Sequence, residues 1–260
     1  MAETLAGRRG IVLGLSTENG MGFVAASALR AAGAEVAVSH RPARGEAARA
    51  LAATSGLGPV YEIDAGDEAS IESACADLGR RWGRLDFLVH ALVDVPAGVL
   101  AAPLTEVSRA VFDRVLGTTV HSLVAALRHA APLLERSEAA RVVAMTSAAA
   151  RRMTPNHHVV GIAKAALAAA VLYLAYELGP RGILVNAVSF SLVATDGAVR
   201  AVGDDAAAQT RAHLAKRAPT RKAVEPGDVA DAVVFLAGPS CRNVTGEVLT
   251  VDGGFSRLYF

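Results

Sequence analysis

Seven short apolar runs, at 10–14, 35–39, 60–63, 85–90, 141–145, 183–188 and 247–251, recur along the chain between long alanine-rich stretches. Each is continuously apolar rather than alternating. That is the pattern of strands buried on both faces, as in a parallel sheet covered by helices. The intervening stretches, near 20–32, 44–54, 68–82, 105–134, 156–178 and 226–237, are long enough for helices, so a βαβ unit repeats. The expected fold is α/β, a single doubly wound domain over residues 1–260 with a seven-stranded parallel sheet flanked by helices. No Pro/Ser linker or break in composition divides it.

With 26 Lys+Arg against 25 Asp+Glu and a formal net charge of +1, the chain has no clustered cationic excess. Neither nucleic acid nor a membrane surface is an expected partner. The first residues carry no apolar signal, and the longest apolar run, 165–176, is too short to span a bilayer, so a cytoplasmic protein is expected. Cys75 and Cys241 lack a second Cys or His at metal-ligand spacing, and buried thiols in a reducing compartment, with no metal, are the expectation.

Two segments ask for cover or give it. The stretch about 190–219 is longer than an ordinary connection, contains Gly197 and Gly203, and follows a strand, which fits a lid over a ligand crevice. A plain surface excursion is the alternative. The helix 159–178 is apolar on nearly every face and needs covering on both sides, by its own sheet and by a second subunit or the lid. A homodimer or homotetramer is therefore expected, and the apolar end Leu258-Tyr259-Phe260 agrees with it.

Directly after the first strand comes Gly14-Leu-Ser-Thr-Glu-Asn-Gly20-Met-Gly22, leading into a helix. Glycines there let backbone N–H groups approach a pyrophosphate at the helix N-terminus, which points to a dinucleotide-binding fold of the Rossmann type. About 20 residues on, a site for NAD wants an acid, but the chain reads Ser39-His40-Arg41, with Arg44 nearby. A guanidinium there favours a 2′-phosphate, so NADP(H) is expected over NAD(H); a solvated arginine is the alternative. Asp64 and Ala65 stand where an adenine edge would fall, unless the acid caps the next helix. Ser147 ends the fifth strand, and Lys164 lies 17 residues later on the apolar helix. Only Lys164, Lys216 and Lys222 are lysines in this arginine-rich chain. A compact ammonium inside an apolar helix suits a proton relay or a ribose clamp better than a snorkelling surface lysine.

Together these pieces resemble the short-chain dehydrogenase/reductase family, and within it the enoyl-acyl-carrier-protein reductases. The resemblance rests on the five-residue gap between Gly14 and Gly20, on 155–167 (Pro-Asn-His-His-Val-Val-Gly-Ile-Ala-Lys-Ala-Ala-Leu) and on 246–256 (Gly-Glu-Val-Leu-Thr-Val-Asp-Gly-Gly-Phe-Ser). It implies that Gly14, Ser16, Gly20, Met21, Arg41, Asp64, Ala65, Ala91, Lys164, Val193 and Thr195 line the coenzyme. It also implies a tyrosine four or seven residues before the lysine, and those positions hold Val160 and His157. Tyr173 and Tyr176 lie beyond the lysine. Gly117 stands where ordinary members have an active-site asparagine, Val93 replaces a glycine, and Phe190-Ser191 replaces Pro-Gly. Asp204, Asp205, Ala208 and Gln209 occupy a region that is basic where bacterial members meet an acidic carrier protein; Arg211, Lys216 and Arg217 suit a thioester's phosphate or a solvated face.

The resulting expectation is an NAD(P)H-dependent reductase of an enoyl thioester or enone. His157 donates to the developing oxyanion, Lys164 binds ribose and Ser147 supports the site. A redox-silent dehydratase, isomerase or cyclase using His157 as acid or base, and a non-catalytic cofactor-binding partner, are the alternatives. His158 is expected at an interface; His40, His90, His121, His129 and His213 fall in core or surface roles.

Overall fold

All seven apolar runs are strands, because each has both faces to bury. The computed structural model describes residues 4–96, 98–197, 199 and 203–258. The strands β1 (Arg9–Leu13), β2 (Glu35–His40), β3 (Val60–Glu62), β4 (Phe87–His90), β5 (Ala140–Ser147), β6 (Ile183–Phe190) and β7 (Val248–Val251) form one sheet in the order β3-β2-β1-β4-β5-β6-β7. Every pairing is parallel. Along β5, Val142 and Ala144 enter one core cluster while Val143 and Met145 enter the other, so polar alternation is absent. Completely buried side chains such as Phe87 and Leu88 each contribute roughly 1.5–3 kcal/mol.

Among the described residues lie helices α1 (Met21–Ala31), α2 (Gly45–Thr54), α3 (Glu68–Trp82), α4 (Arg109–Leu116), α5 (Ser122–Leu134), α6 (His158–Leu178), α7 (Asp204–Arg217) and α8 (Pro226–Ala237). The cluster on one face of the sheet takes residues from α3, α5 and α6; the other takes them from α1, α2 and α8. The fold is thus doubly wound, and its strand order reverses between β1 and β4. In such sheets that switch point, at the carboxyl ends of the strands, is where a ligand crevice opens.

Two details depart from the sequence reading, and a third bears on it. The helix expected over 105–134 begins only at Arg109, where the Ser108 side chain accepts from Val111 N, and a π-helical turn (Gly117–His121) joins α4 to α5. β5 and β6 run two residues further than their apolar runs, ending at Ser147 and Phe190, which pair with each other. Backbone pairing carries them through Thr146 and Ser189 without apolar help. Finally, α6 is not covered on both sides within one chain: Leu172, Tyr173 and Tyr176 are exposed. Its length and hydropathy match a membrane span, yet half of it is buried and Lys164 sits in that half, as befits a core helix. Tyr259 and Phe260 lie outside the described residues.

Candidate active site

The turn after β1 is built for close approach. Gly14 has φ +112°, and a Cβ on it would stand 2.8 Å from Ala91 O, so the ends of β1 and β4 approach closely there. A Cβ on Gly22 would overlap Gly14 O, which lets the first turn of α1 lie against the strand end, and one on Gly20 would overlap Ser16 Oγ. Gly20 is the N-cap of α1, makes no side-chain cap and is followed by no acid in the first turn. The first N–H groups of α1 therefore have no competing protein acceptor in their own cap, as a pyrophosphate cradle requires. Ser16 and Met21 belong to this turn. Thr17 Oγ1 is buried there without a partner.

Across the switch point, Lys164 is 7% exposed, and its Nζ donates to Met145 O at 2.7 Å. Burial pushes its pKa down to about 8. Among the described residues no carboxylate pairs with it, and a buried ammonium so placed is a costly arrangement that protein structures keep mainly where the charge is used. Ser147, at the end of β5, has a buried Oγ with no partner. Around them lies a polar group that sequence reasoning did not single out. His90 is fully buried, its Nε2 lies 2.7 Å from Ser122 Oγ, and Ser122 Oγ donates to Thr118 O at 2.6 Å within the π turn. Because that hydroxyl is spent as a donor, His90 Nε2 carries the proton. Burial, with Lys164 nearby, lowers the His90 pKa to about 3, so the ring is neutral at ordinary pH. His90 Nδ1 and Thr119 Oγ1 remain buried and unpartnered.

His157 caps α6, seven residues before Lys164 and so about two turns, or ~10 Å, from it along the axis on the same side. It follows Asn156, whose φ of +56° turns the chain into the helix. The imidazole is half-buried; its Nδ1 lies 3.1 Å from Pro155 O. A carbonyl only accepts, so Nδ1 bears hydrogen and Nε2 is left for a ligand. Val160, one turn on, packs with Leu100, Val115 and Ala163. His158, expected at an interface, makes hydrogen bonds within the chain: its Nδ1 accepts from Val159 N and its Nε2 reaches Ala102 O at 2.9 Å. Tyr173 and Tyr176 face outward.

The remaining coenzyme candidates also gather at the carboxyl edge of the sheet. Ala91 N donates to Leu13 O at 2.9 Å. Asp64 is exposed and accepts from Gly66 N at 2.9 Å; the cap of α3 is Asp67 instead. Ala65 lies in that turn. Val193 is buried and Thr195 N donates to Val193 O, while the neighbouring Asp196 meets Asn19 of the glycine turn at 3.5 Å. The chain after β6 thus passes over the turn, as a lid would. Within it α7 buries only Ala207, and Arg211 is paired with Glu225 at 2.7 Å rather than open to a phosphate. Among the described residues no cluster of His, Cys, Asp and Glu could hold a metal.

Arg41 is tied as well. Its Nη1 donates to Asp94 Oδ1 at 3.1 Å. Asp94 escaped the sequence reading because it lies 53 residues away and in no motif.

Residues 14–256 match the family model described as enoyl-(acyl carrier protein) reductase. A relative from Rhizobium meliloti, enoyl-[acyl-carrier-protein] reductase [NADH] 2, is 32% identical over 260 residues, covering 98% of this chain and 94% of the relative. Among solved structures, the enoyl reductase of Anaplasma phagocytophilum in complex with NAD superposes with a TM-score of 0.91 at 26% identity, covering 100% of this chain and 96% of that one. The Bacillus cereus enzyme with NADP+ superposes with a TM-score of 0.92 at 27% identity, each chain covered completely. The expectation of NADP(H) over NAD(H) is overturned. The Rhizobium relative, like those from Aquifex aeolicus and others, is named for NADH, and the Anaplasma structure carries NAD. Arg41, expected to be free for a 2′-phosphate, already donates through Nη1 to the Asp94 carboxylate.

Proposed function

This chain belongs to the enoyl-(acyl carrier protein) reductase family, and from that premise we propose that it reduces the carbon–carbon double bond of an enoyl thioester with NADH. The observation that carries the reading is the buried, carboxylate-free Lys164 standing across the switch point from an uncapped glycine turn. NADH bound there would supply the hydride.

This chain's own groups divide the remaining work. Gly14, Ser16, Gly20 and Met21 would cradle the pyrophosphate, with Ala91, Val193 and Thr195 lining the cleft and Asp64 and Ala65 its adenine end. Lys164 has two N–H groups beyond the one given to Met145 O, and these would clamp the nicotinamide ribose. Ser147 Oγ, buried without a partner, would bond the substrate or coenzyme. His157 takes the place where the family has a tyrosine. With Nδ1–H directed at Pro155 O, its Nε2 can donate to a thioester oxygen only when the ring is imidazolium, and there it would stabilise the developing enolate.

The same contact favours a second reading at one point. A neutral His157 presents a lone pair at Nε2, which suits proton abstraction in a redox-silent reaction. The two separate by experiment. For the reductase, purified protein oxidises NADH when an enoyl thioester is added, and His157→Ala lowers turnover by about 10²-fold while NADH still binds. His157→Tyr restores it. Product formed without NADH oxidation would establish the redox-silent reaction instead.

The lid is assigned to 190–219 of a single domain. A homotetramer, or a homodimer at least, is the proposed assembly, supported by apolar side chains exposed on α6 and around β7. The free, buried thiols of Cys75 and Cys241 support a cytoplasmic setting.

A further inference from the structure

We propose that Asp94 is the coenzyme-selectivity residue of this cleft, holding Arg41 away from a 2′-phosphate. The inference rests on the reading that the cleft binds a nicotinamide dinucleotide. In a doubly wound sheet, the end of the second strand meets the adenosine ribose, where an acid recognises a free 2′-hydroxyl and an arginine a 2′-phosphate. By that criterion alone, Arg41 should make this a phosphate site. The surroundings of Arg41 say otherwise.

β2 and β4 both flank β1, with Ser39 and His90 in register with Leu13 on either side. Arg41 follows β2 and Asp94 follows β4, so their bond crosses over the end of β1, where the glycine turn starts. Arg41 Nη1 donates to Asp94 Oδ1 at 3.1 Å, and Arg114 of α4 takes the other oxygen, its Nε donating to Oδ2 at 2.8 Å. One carboxylate is thus shared by two guanidiniums. It is the sheltered member: the Asp94 side chain is 22% exposed, against 54% for Arg41 and 56% for Arg114. The backbone behind Arg41 is fixed too, since the buried His40 has Nδ1 3.0 Å from Arg41 O.

Asp94 takes one Arg41 donor, so a 2′-phosphate gripped by the remaining donors would share the guanidinium with that carboxylate and bring its charge beside it. A single exposed ion pair is a weak restraint. Repulsion between the phosphate and a sheltered carboxylate adds to it, and charge placement of this kind acts on partner choice more than on overall affinity. NADH, with a 2′-hydroxyl, asks for neither change. Asp94 therefore does at long range what an acid at the end of β2 does locally.

The test is direct binding of NADH and NADPH, by fluorescence or calorimetry, to the intact protein and to Asp94→Asn, Arg41→Ala and the double variant. The neutral, isosteric change should tighten NADPH roughly 10-fold while NADH stays within about 2-fold, and the gain should vanish in the double variant. Equal changes for both coenzymes, or a gain that survives loss of Arg41, would overturn the assignment and leave the reductase reading intact. Binding of neither coenzyme to the unmodified protein would remove both. Circular dichroism of each variant separates these outcomes from misfolding; if Asp94→Asn misfolds, Asp94→Ser answers the same question.

Discussion

Lys164 illustrates what a functional residue costs its fold. An ordinary lysine titrates near 10.5, whereas this one is lowered to about 8 by burial. Below pH 8 folded and unfolded chains both carry the ammonium, and the folded chain bears the whole desolvation penalty. Between about 8 and 10.5 the unfolded chain binds more protons, so stability contributed at this site rises with pH. Lys164→Met should therefore stabilise the protein by about 2 kcal/mol at neutral pH, after allowing for the acceptor lost at Met145 O. The advantage should shrink as pH climbs from 8 toward 10.5. Denaturant melts at several pH values check the sign, and a parallel titration should show NADH affinity lost. A variant that is less stable and still binds would contradict the role of this lysine. The residue was legible in the sequence because an arginine-rich chain had placed a lysine in its most apolar helix. Asp94 and His90 were not, since their meaning comes from Arg41 and Ser122, which only the fold brings to them.

Among the elements, α6 does most to assemble the site, and it does so through a glycine. A Cβ on Gly161 would lie 2.9 Å from Ala149 O, in the 3₁₀ turn that directly follows Ser147. The absence of that atom lets the first turns of α6, which His157 precedes, settle against the turn that follows β5. Because the obstacle is backbone, it cannot swing aside. Gly161→Val should cost about 1–3 kcal/mol in stability, measurable as a lower midpoint in denaturant. It should also reduce turnover about 10²-fold with little change in NADH affinity, since Lys164 lies nearly a turn further on. Equal losses in both would mean that the packing is general rather than local. Element types were readable from periodicity, but the π turn at Gly117–His121 was not. One extra residue in a helical turn leaves composition and hydropathy as they were, although it directs Thr118 O to the hydroxyl that orders His90.

At the scale of the molecule, two of the surfaces that expose apolar residues lie on α6 and around β7; Val93, Leu104, Met153 and Ile162 are exposed as well. Leu172 (57% exposed), Tyr173 (77%) and Tyr176 (85%) stand on α6; Phe235 (49%) on α8 and Leu249 (38%) on β7, the far edge strand. Two such faces on one chain, each meeting its own copy about a two-fold axis, generate a closed tetramer of dihedral symmetry; one face alone generates a dimer. The α6 face lies behind the helix that carries His157 and Lys164, so pairing there would stiffen the site, whereas pairing through β7 would cover an open sheet edge. Tyr173→Lys with Tyr176→Lys should then split a tetramer into dimers held through β7 and lower turnover, while Phe235→Lys should yield dimers that keep most activity. Light scattering coupled to size exclusion reads the first result, and NADH oxidation the second. A monomer in the unmodified protein would refute the assembly. If both variants instead give tetramers, the apolar faces serve something other than self-association, and α6 must be positioned by its own sheet alone.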